Sequence, residues 1–222
     1  MKKLKKIFFV NDNLYMHEKI CIIGSSKKIL NEKKGKLINN FKEIVRFNRS
    51  KVNSFQKYVG SKTTLRILNN HVFLNVKIWG INKTEQFFAK KLKNTKILII
   101  APKPISQIDY NKHSNKSNKY YFLNSKKILF YSLFKFILDL KLVYMILSLI
   151  YNKKSYSAGM SFIMCLLLSN LRPTLFGFDL EENMNNRSHY YQKPGKPGKF
   201  HNLKLEHKIL KILKNKNYLD IK

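Results

Sequence analysis

The sequence predicts an α/β fold, Rossmann-like, with a mainly parallel sheet flanked by helices. Three observations carry that expectation. Short apolar, β-branched runs recur along the chain, polar or helix-patterned stretches separate them, and the first run breaks at Gly24-Ser25-Ser26 into a segment with helical character.

Taken in order, residues 20–23 (Ile-Cys-Ile-Ile) read as a buried strand, and 27–41 as a helical or turning segment. Residues 43–47 (Glu-Ile-Val-Arg-Phe) supply a second strand and 63–68 (Thr-Thr-Leu-Arg-Ile-Leu) a third. Residues 96–101 form a fourth, stopped by Pro102 and Pro104. The stretch 106–127 is rich in Lys, Asn and Ser and reads as a surface loop. Residues 128–151 are the longest apolar stretch, interrupted by Lys135, Asp139 and Lys141. Three charges are costly in hydrocarbon, so a buried or membrane-surface amphipathic helix fits better than a spanning one. A helix opens at Ser157-Ala158-Gly159, residues 172–179 supply a fifth strand with a polar end, and a Lys/Leu amphipathic helix begins near Asn202. There is no internal repeat and no clear domain boundary, so 1–222 reads as a single domain.

Composition narrows the partners without choosing one. Forty-four Lys and Arg stand against twelve Asp and Glu, a formal charge of +32, while 44% of residues are hydrophobic. Such a chain folds, and its surface attracts nucleic acid, anionic lipid or phosphorylated substrate. Cys21 and Cys165 sit in apolar runs and read as buried free thiols rather than a disulfide. The N-terminal sequence begins like a signal peptide, but its apolar core, Ile7 to Val10, is too short, which suggests a cytoplasmic location.

Two places have the anatomy of an anion site: the Gly24-Ser25-Ser26 turn after the first strand, and Ser157-Ala158-Gly159 at a helix start. Backbone N–H groups and the helix dipole favour a phosphate there, although small residues also cap helices for structural reasons alone. Further on, Ser188-His189-Tyr190-Tyr191 and His201-Asn202-Leu203-Lys204-Leu205-Glu206 follow a strand end, where ligands gather in open α/β sheets. A histidine takes a proton from a hydroxyl near neutral pH and a carboxylate orients it; two surface histidines beside a packed tyrosine pair fit the spacing equally well. Asp179, Glu181 and Glu182 could hold a divalent ion, or simply form the solvated end of a strand, and no metal is expected.

Together these residues resemble glycosyltransferase family 29, the animal-type sialyltransferases, as a bacterial-type member without a membrane anchor. Residues 21–48 (CIIGSS through IVRFN), with Val59-Gly60, Lys62-Thr63-Thr64 and Arg66, resemble the large sialylmotif. Tyr156-Ser-Ala-Gly-Met160 through Phe176-Gly-Phe-Asp179 resembles the small one, His189-Tyr190-Tyr191 motif III, and His201 with Glu206 the very small motif. The likeness covers 20–70 and 155–207, and 71–154 carries none that can be read from its residues.

The resemblance implies a variant GT-A-like single domain and an inverting, metal-independent enzyme with no cofactor. It would use CMP-sialic acid or a related CMP-activated nonulosonic acid and a glycan or lipid-linked glycan acceptor. Ser25, Ser26 and Asn48 would contact the CMP moiety, and Ser157 and Gly159 the nucleotide or its phosphate. His189 and Tyr190 would stabilise the departing phosphate, and His201 would be the base, with Glu206 its partner. The family joins its large and small motifs by a disulfide; Cys21 matches one half, but Asn170 stands at the other, which implies no such bridge here. The basic surface and residues 128–151 suggest peripheral contact with an anionic membrane at its inner face. Nucleic acid is not an expected partner. The alternatives are a basic nucleic-acid-binding protein and a CMP-sugar binder without catalysis.

Overall fold

The structure is a computed structural model that describes residues 4–10, 13–74, 92, 94–103, 105–180, 190–191 and 202–222. A two-stranded antiparallel ribbon, β1 (Leu4–Lys6) with β2 (Tyr15–His17), precedes the main sheet. Its first strand, β3 (Ile20–Ile23), is buried at every position, as a central strand covered on both faces must be. A 3₁₀ turn (Lys27–Asn31) and α1 (Gly35–Asn39) lead to β4 (Glu43–Phe47), and α2 (Gln56–Val59) to β5 (Leu65–Asn69). The chain then passes through α3 (Asn70–Phe73), β6 (Lys96–Ala101), α4 (Gln107–His113) and β7 (Lys119–Asn124). Three helices follow, α5 (Ser125–Lys135), α6 (Leu140–Tyr151) and α7 (Ala158–Leu168), before β8 (Thr174–Phe176), α8 (Leu203–Asn215) and β9 (Asp220–Ile221).

The strand order is β7-β6-β5-β4-β3-β8-β9, and every neighbouring pair is parallel. From β3 the chain steps outward to β7, then returns to lay β8 against the opposite side of β3. Helices α5 to α8 pack in one apolar cluster with Ile22, Val45 and Leu98, whereas Cys21, Ile23 and Ile44 pack with the 3₁₀ turn and α1. Alternate residues of one strand thus feed opposite layers, which is the period of a strand expressed in packing. Helix α7, apolar all round, is buried from Met160 to Leu167 beneath α5.

Two expectations need correction. Residues 106–127 are not a surface loop. Ser106 caps α4, accepting from the Asp109 amide while donating to its carboxylate at 2.7 Å, and Tyr120, Tyr121 and Leu123 bury an edge strand between polar flanks. Nor is 128–151 one helix. Phe136 ends α5, and Asp139 begins α6 by accepting from the Leu142 amide at 3.2 Å. Two of the three charges that looked like interruptions are therefore terminus signals: Lys135 in the last turn of α5, and Asp139 as an N-cap whose second oxygen meets Lys216 at 2.6 Å. That ammonium holds the Asp139 carboxyl below the usual carboxylate range.

Cys21 and Cys165 are buried and free. Burial pushes the Cys21 thiol up to about 12, against a smaller opposing pull from Arg46, and pushes Cys165 up as well. Both are inert packing residues at neutral pH. No helix among the described residues is long and apolar enough to cross a membrane.

Candidate functional site

The strand order reverses between β3 and β8, and at their carboxyl ends the two chains are sewn together. The Gly24 amide donates to the Phe176 carbonyl at 2.7 Å and the Ser26 amide to the Gly177 carbonyl at 3.0 Å. The approach is so close that a Cβ on Gly24 would lie 2.3 Å from the Gly177 oxygen. Gly177 turns with φ +68°, a conformation that favours glycine. Beyond this stitch Ser26 caps the 3₁₀ turn, accepting from the Lys28 amide at 3.2 Å. Asp179 pairs with Lys28 at 3.3 Å. Glu181 and Glu182 lie outside the described residues, and among those described no three His, Cys, Asp or Glu side chains gather to hold a metal.

The N-terminus of α7 comes over this stitch. A Cβ on Gly159 would meet its nearest neighbours, in Ser157, Phe178 and Phe47, at an ordinary contact distance of 3.8–3.9 Å, so that turn has room for a methyl. The amides of Ala158 and Gly159 precede the first intrahelical bond and point out of the helix with its positive dipole end. Ser157 is the cap, accepting from the Met160 amide at 3.2 Å. Glu206, in the first turn of α8 and 3% exposed, grips that cap twice: one oxygen accepts from the Ser157 amide and the other from its hydroxyl, both at 2.6 Å. The hydroxyl of Ser157 is thus fully engaged, and what α7 offers a ligand is its backbone. A carboxylate at α8 and a helix start at α7 form one unit.

Asn48 follows β4 with φ +43°, and its side-chain oxygen accepts from the Asn69 amide at 3.0 Å, tying the end of β4 to the end of β5. Beneath it lie two buried arginines. Arg46 donates to the carbonyls of Val59, Gly60 and Lys62 and to the Thr63 hydroxyl, and Arg66 to Asn48, Ser50 and the Ser50 hydroxyl. Burial lowers Arg46, and burial followed by the neighbouring Arg46 lowers Arg66 to about 10, which leaves Arg66 charged at neutral pH. Both fall within the stretches that resemble the large motif, but the sequence assigns neither a role; an arginine inside each of two apolar strands, Glu43–Phe47 and Leu65–Asn69, is the signal of burial.

Tyr190 bridges the two halves. Its amide donates to the Ser25 carbonyl at 2.9 Å, its hydroxyl to the Lys51 carbonyl, and its ring meets Phe55 and Tyr191 edge-on. Burial raises its hydroxyl above the ordinary tyrosine value, so it stays protonated. Ser25, Ser26, Asn48, Ser157, Gly159, Tyr190 and Glu206 therefore lie along the carboxyl edge of β8, β3 and β4 or brace it. His189 and His201 lie outside the described residues; in sequence each adjoins a placed residue, Tyr190 and the α8 cap Asn202.

A family model described as glycosyltransferase family 29 (sialyltransferase) matches residues 12–218, including the stretch 71–154 that carried no readable resemblance. A β-1,6-galactosyltransferase of Arabidopsis thaliana is 24% identical over 208 residues, 88% of this chain and 50% of that protein. A β-galactoside α-2,6-sialyltransferase 2 of Xenopus tropicalis is 35% identical over 66 residues, 29% of this chain and 13% of that protein. This chain thus spans about half the length, or less, of the curated relatives it matches. Among solved structures, a mammalian sialyltransferase in complex with Gal-beta-1-3GalNAc-ortho-nitrophenol aligns over 91% of this chain and 68% of that one, with a TM-score of 0.59 and 16% identity. At that identity the likeness is one of fold.

Proposed function

The chain belongs to glycosyltransferase family 29, and on that premise we propose that it moves sialic acid or a related nonulosonic acid from a CMP-sugar to a glycan hydroxyl with inversion. The observation that carries the reading is that the α7 N-terminus, whose Ala158 and Gly159 amides precede the first intrahelical bond, meets the Gly24–Ser26 stitch at the reversal of strand order. The CMP moiety lies along Gly24–Ser26 and Asn48, and its phosphate faces the amides of Ala158 and Gly159. The acceptor oxygen attacks the anomeric carbon, the bond to the CMP phosphate breaks, and His201 takes the hydroxyl proton. The departing phosphate keeps the electron pair, and the α7 N-terminus and His189 receive its charge. That charge is met without a divalent ion, so no metal is part of the reading. Tyr190, its hydroxyl spent on Lys51, acts by fixing the turn at 190–191 against Ser25.

A second donor class has one specific support: the relative matched over most of this chain is a galactosyltransferase. The test is release of nucleotide from CMP-sialic acid and, in parallel, from UDP-galactose, with a pool of glycan acceptors. CMP release that survives EDTA and is lost in His201→Ala supports the proposal. Release of UDP alone moves the donor to the galactosyl class, and binding of CMP without turnover of either donor leaves a binder without catalysis.

Gly159→Ala is the sharpest probe of the phosphate position. The fold has room for the methyl, and alanine is the better helix former by up to about 1 kcal/mol. The thermal midpoint should hold or rise while CMP affinity falls about tenfold or more. Unchanged affinity would remove the phosphate from the α7 N-terminus.

A further inference from the structure

We propose that the α5–α6 hairpin is a docking surface for an anionic phospholipid bilayer; this is independent of the donor reading. Helix α6 is apolar on both sides. Leu142, Ile146 and Leu149 are buried against the protein, while Leu140, Tyr144, Leu147 and Tyr151, at helical spacing, form a second stripe that faces solvent. Exposure along this face is extreme for large apolar side chains: Leu138 98%, Tyr151 88%, Leu140 80% and Tyr144 75%. On α5, Phe130, Tyr131 and Phe134 are also exposed and meet one another edge-on or tilted. Exposed apolar surface of this extent marks an interaction site.

Charge selects the occupant. Within 125–156 there are six lysines and one acid, Asp139, which is already paired with Lys216. Helix α8 packs beside α6 and presents Lys204, Lys208 and Lys211 to solvent on one stripe. An apolar, tyrosine-bearing face rimmed by lysines matches the interface of an anionic bilayer, where acyl chains take the leucines, headgroups take the ammonium groups, and tyrosines sit between. A second copy of the chain is a poor occupant, because pairing two such faces brings their lysine rims together. Ile137 and Leu138, between the two helices, are both exposed, which suits fluid lipid. At twelve residues α6 is about 18 Å long, well short of a roughly 30 Å hydrocarbon layer, so the contact is peripheral. Residues 152–156 join the end of α6 to the Ser157 cap, so the docked face and the candidate site are neighbours along the chain.

The experiment is co-sedimentation of the full chain with vesicles of equal parts phosphatidylcholine and phosphatidylglycerol, and with phosphatidylcholine alone, at low and high salt. Wild type should pellet with the mixed vesicles and much less with neutral ones. Leu138→Asp/Tyr144→Ser should weaken binding about tenfold or more. Lys208→Gln/Lys211→Gln should weaken it severalfold and flatten its salt dependence. Both variants change exposed side chains and should keep the wild-type thermal midpoint. The proposal is overturned if wild type stays in the supernatant, or if Leu138→Asp/Tyr144→Ser binds as wild type does, which would leave only electrostatic adsorption. It is equally overturned if wild type sediments as a dimer that the apolar variant turns into a monomer, which would make the face an interface between copies.

Discussion

Gly24→Ala should destabilise the protein by about 3 kcal/mol or more and abolish CMP binding. The added methyl would stand 2.3 Å from the Gly177 oxygen and 2.8 Å from both the Gly177 carbonyl carbon and the Phe178 ring. Two of these three atoms are backbone, so no side-chain rotation relieves the contact. The strands can separate only by breaking the bonds from Gly24 to Phe176 and from Ser26 to Gly177, which shape the turn. Urea unfolding measures the first effect and calorimetric titration with CMP the second. A variant with wild-type stability would show that the turn has slack, and the close approach would lose its role in building the site. The contrast with Gly159→Ala, where the methyl has room, separates a glycine needed for packing from one needed for ligand approach.

Glu206→Ala should be the second severe change, and its pattern tells a positioning residue from a proton-transfer group. Removing the carboxylate strips two charge-assisted hydrogen bonds from the Ser157 cap and leaves its partly buried amide without an acceptor, a loss of about 3 kcal/mol. The α7 N-terminus then loses its anchor, and CMP affinity should fall with it. Ser157→Ala should cost less, and the double variant little more than Glu206→Ala alone, because the two side chains act as one unit. If Glu206 acts only through Ser157, residual turnover keeps the wild-type pH profile. A shifted profile would put the carboxylate in the proton path instead, beside His201.

What could be read from the sequence was mostly what repeats at short range. The apolar tetrad of β3, the strands around Val45, Ile67 and Leu98, and the caps at Ser157 and Asn202 announce themselves within a few residues. What could not be read depends on partners far along the chain. Nothing local to Lys119–Asn124 says that an aromatic run between polar flanks will bury Tyr120 and Tyr121 at a sheet edge. Asp139 looked like a flaw in a long apolar helix because its effect as a cap appears only once α6 bends back and Lys216 arrives. Glu206 was legible as part of a motif, but its grip on Ser157 crosses 49 positions and no spacing rule reports it. Arg46 and Arg66 were legible as parts of a motif but not as buried braces, because a charge in a strand usually faces water, whereas here carbonyl oxygens replace it.

The neighbours β3 and β8 are far apart in sequence, and the carboxylate that secures α7 comes later still. During synthesis the early strands β3 to β7 can pair as they emerge, each beside the one before, while the candidate site has to wait for the last helix. A ribosome-bound chain that ends before Glu206 can hold most of its sheet and still have no place for a ligand. Folding therefore closes with a long-range step, slow for reasons of chain entropy rather than chemistry. A nucleotide that binds across the seam favours the closed form by mass action, acting as a clasp on the two ends of the folding process.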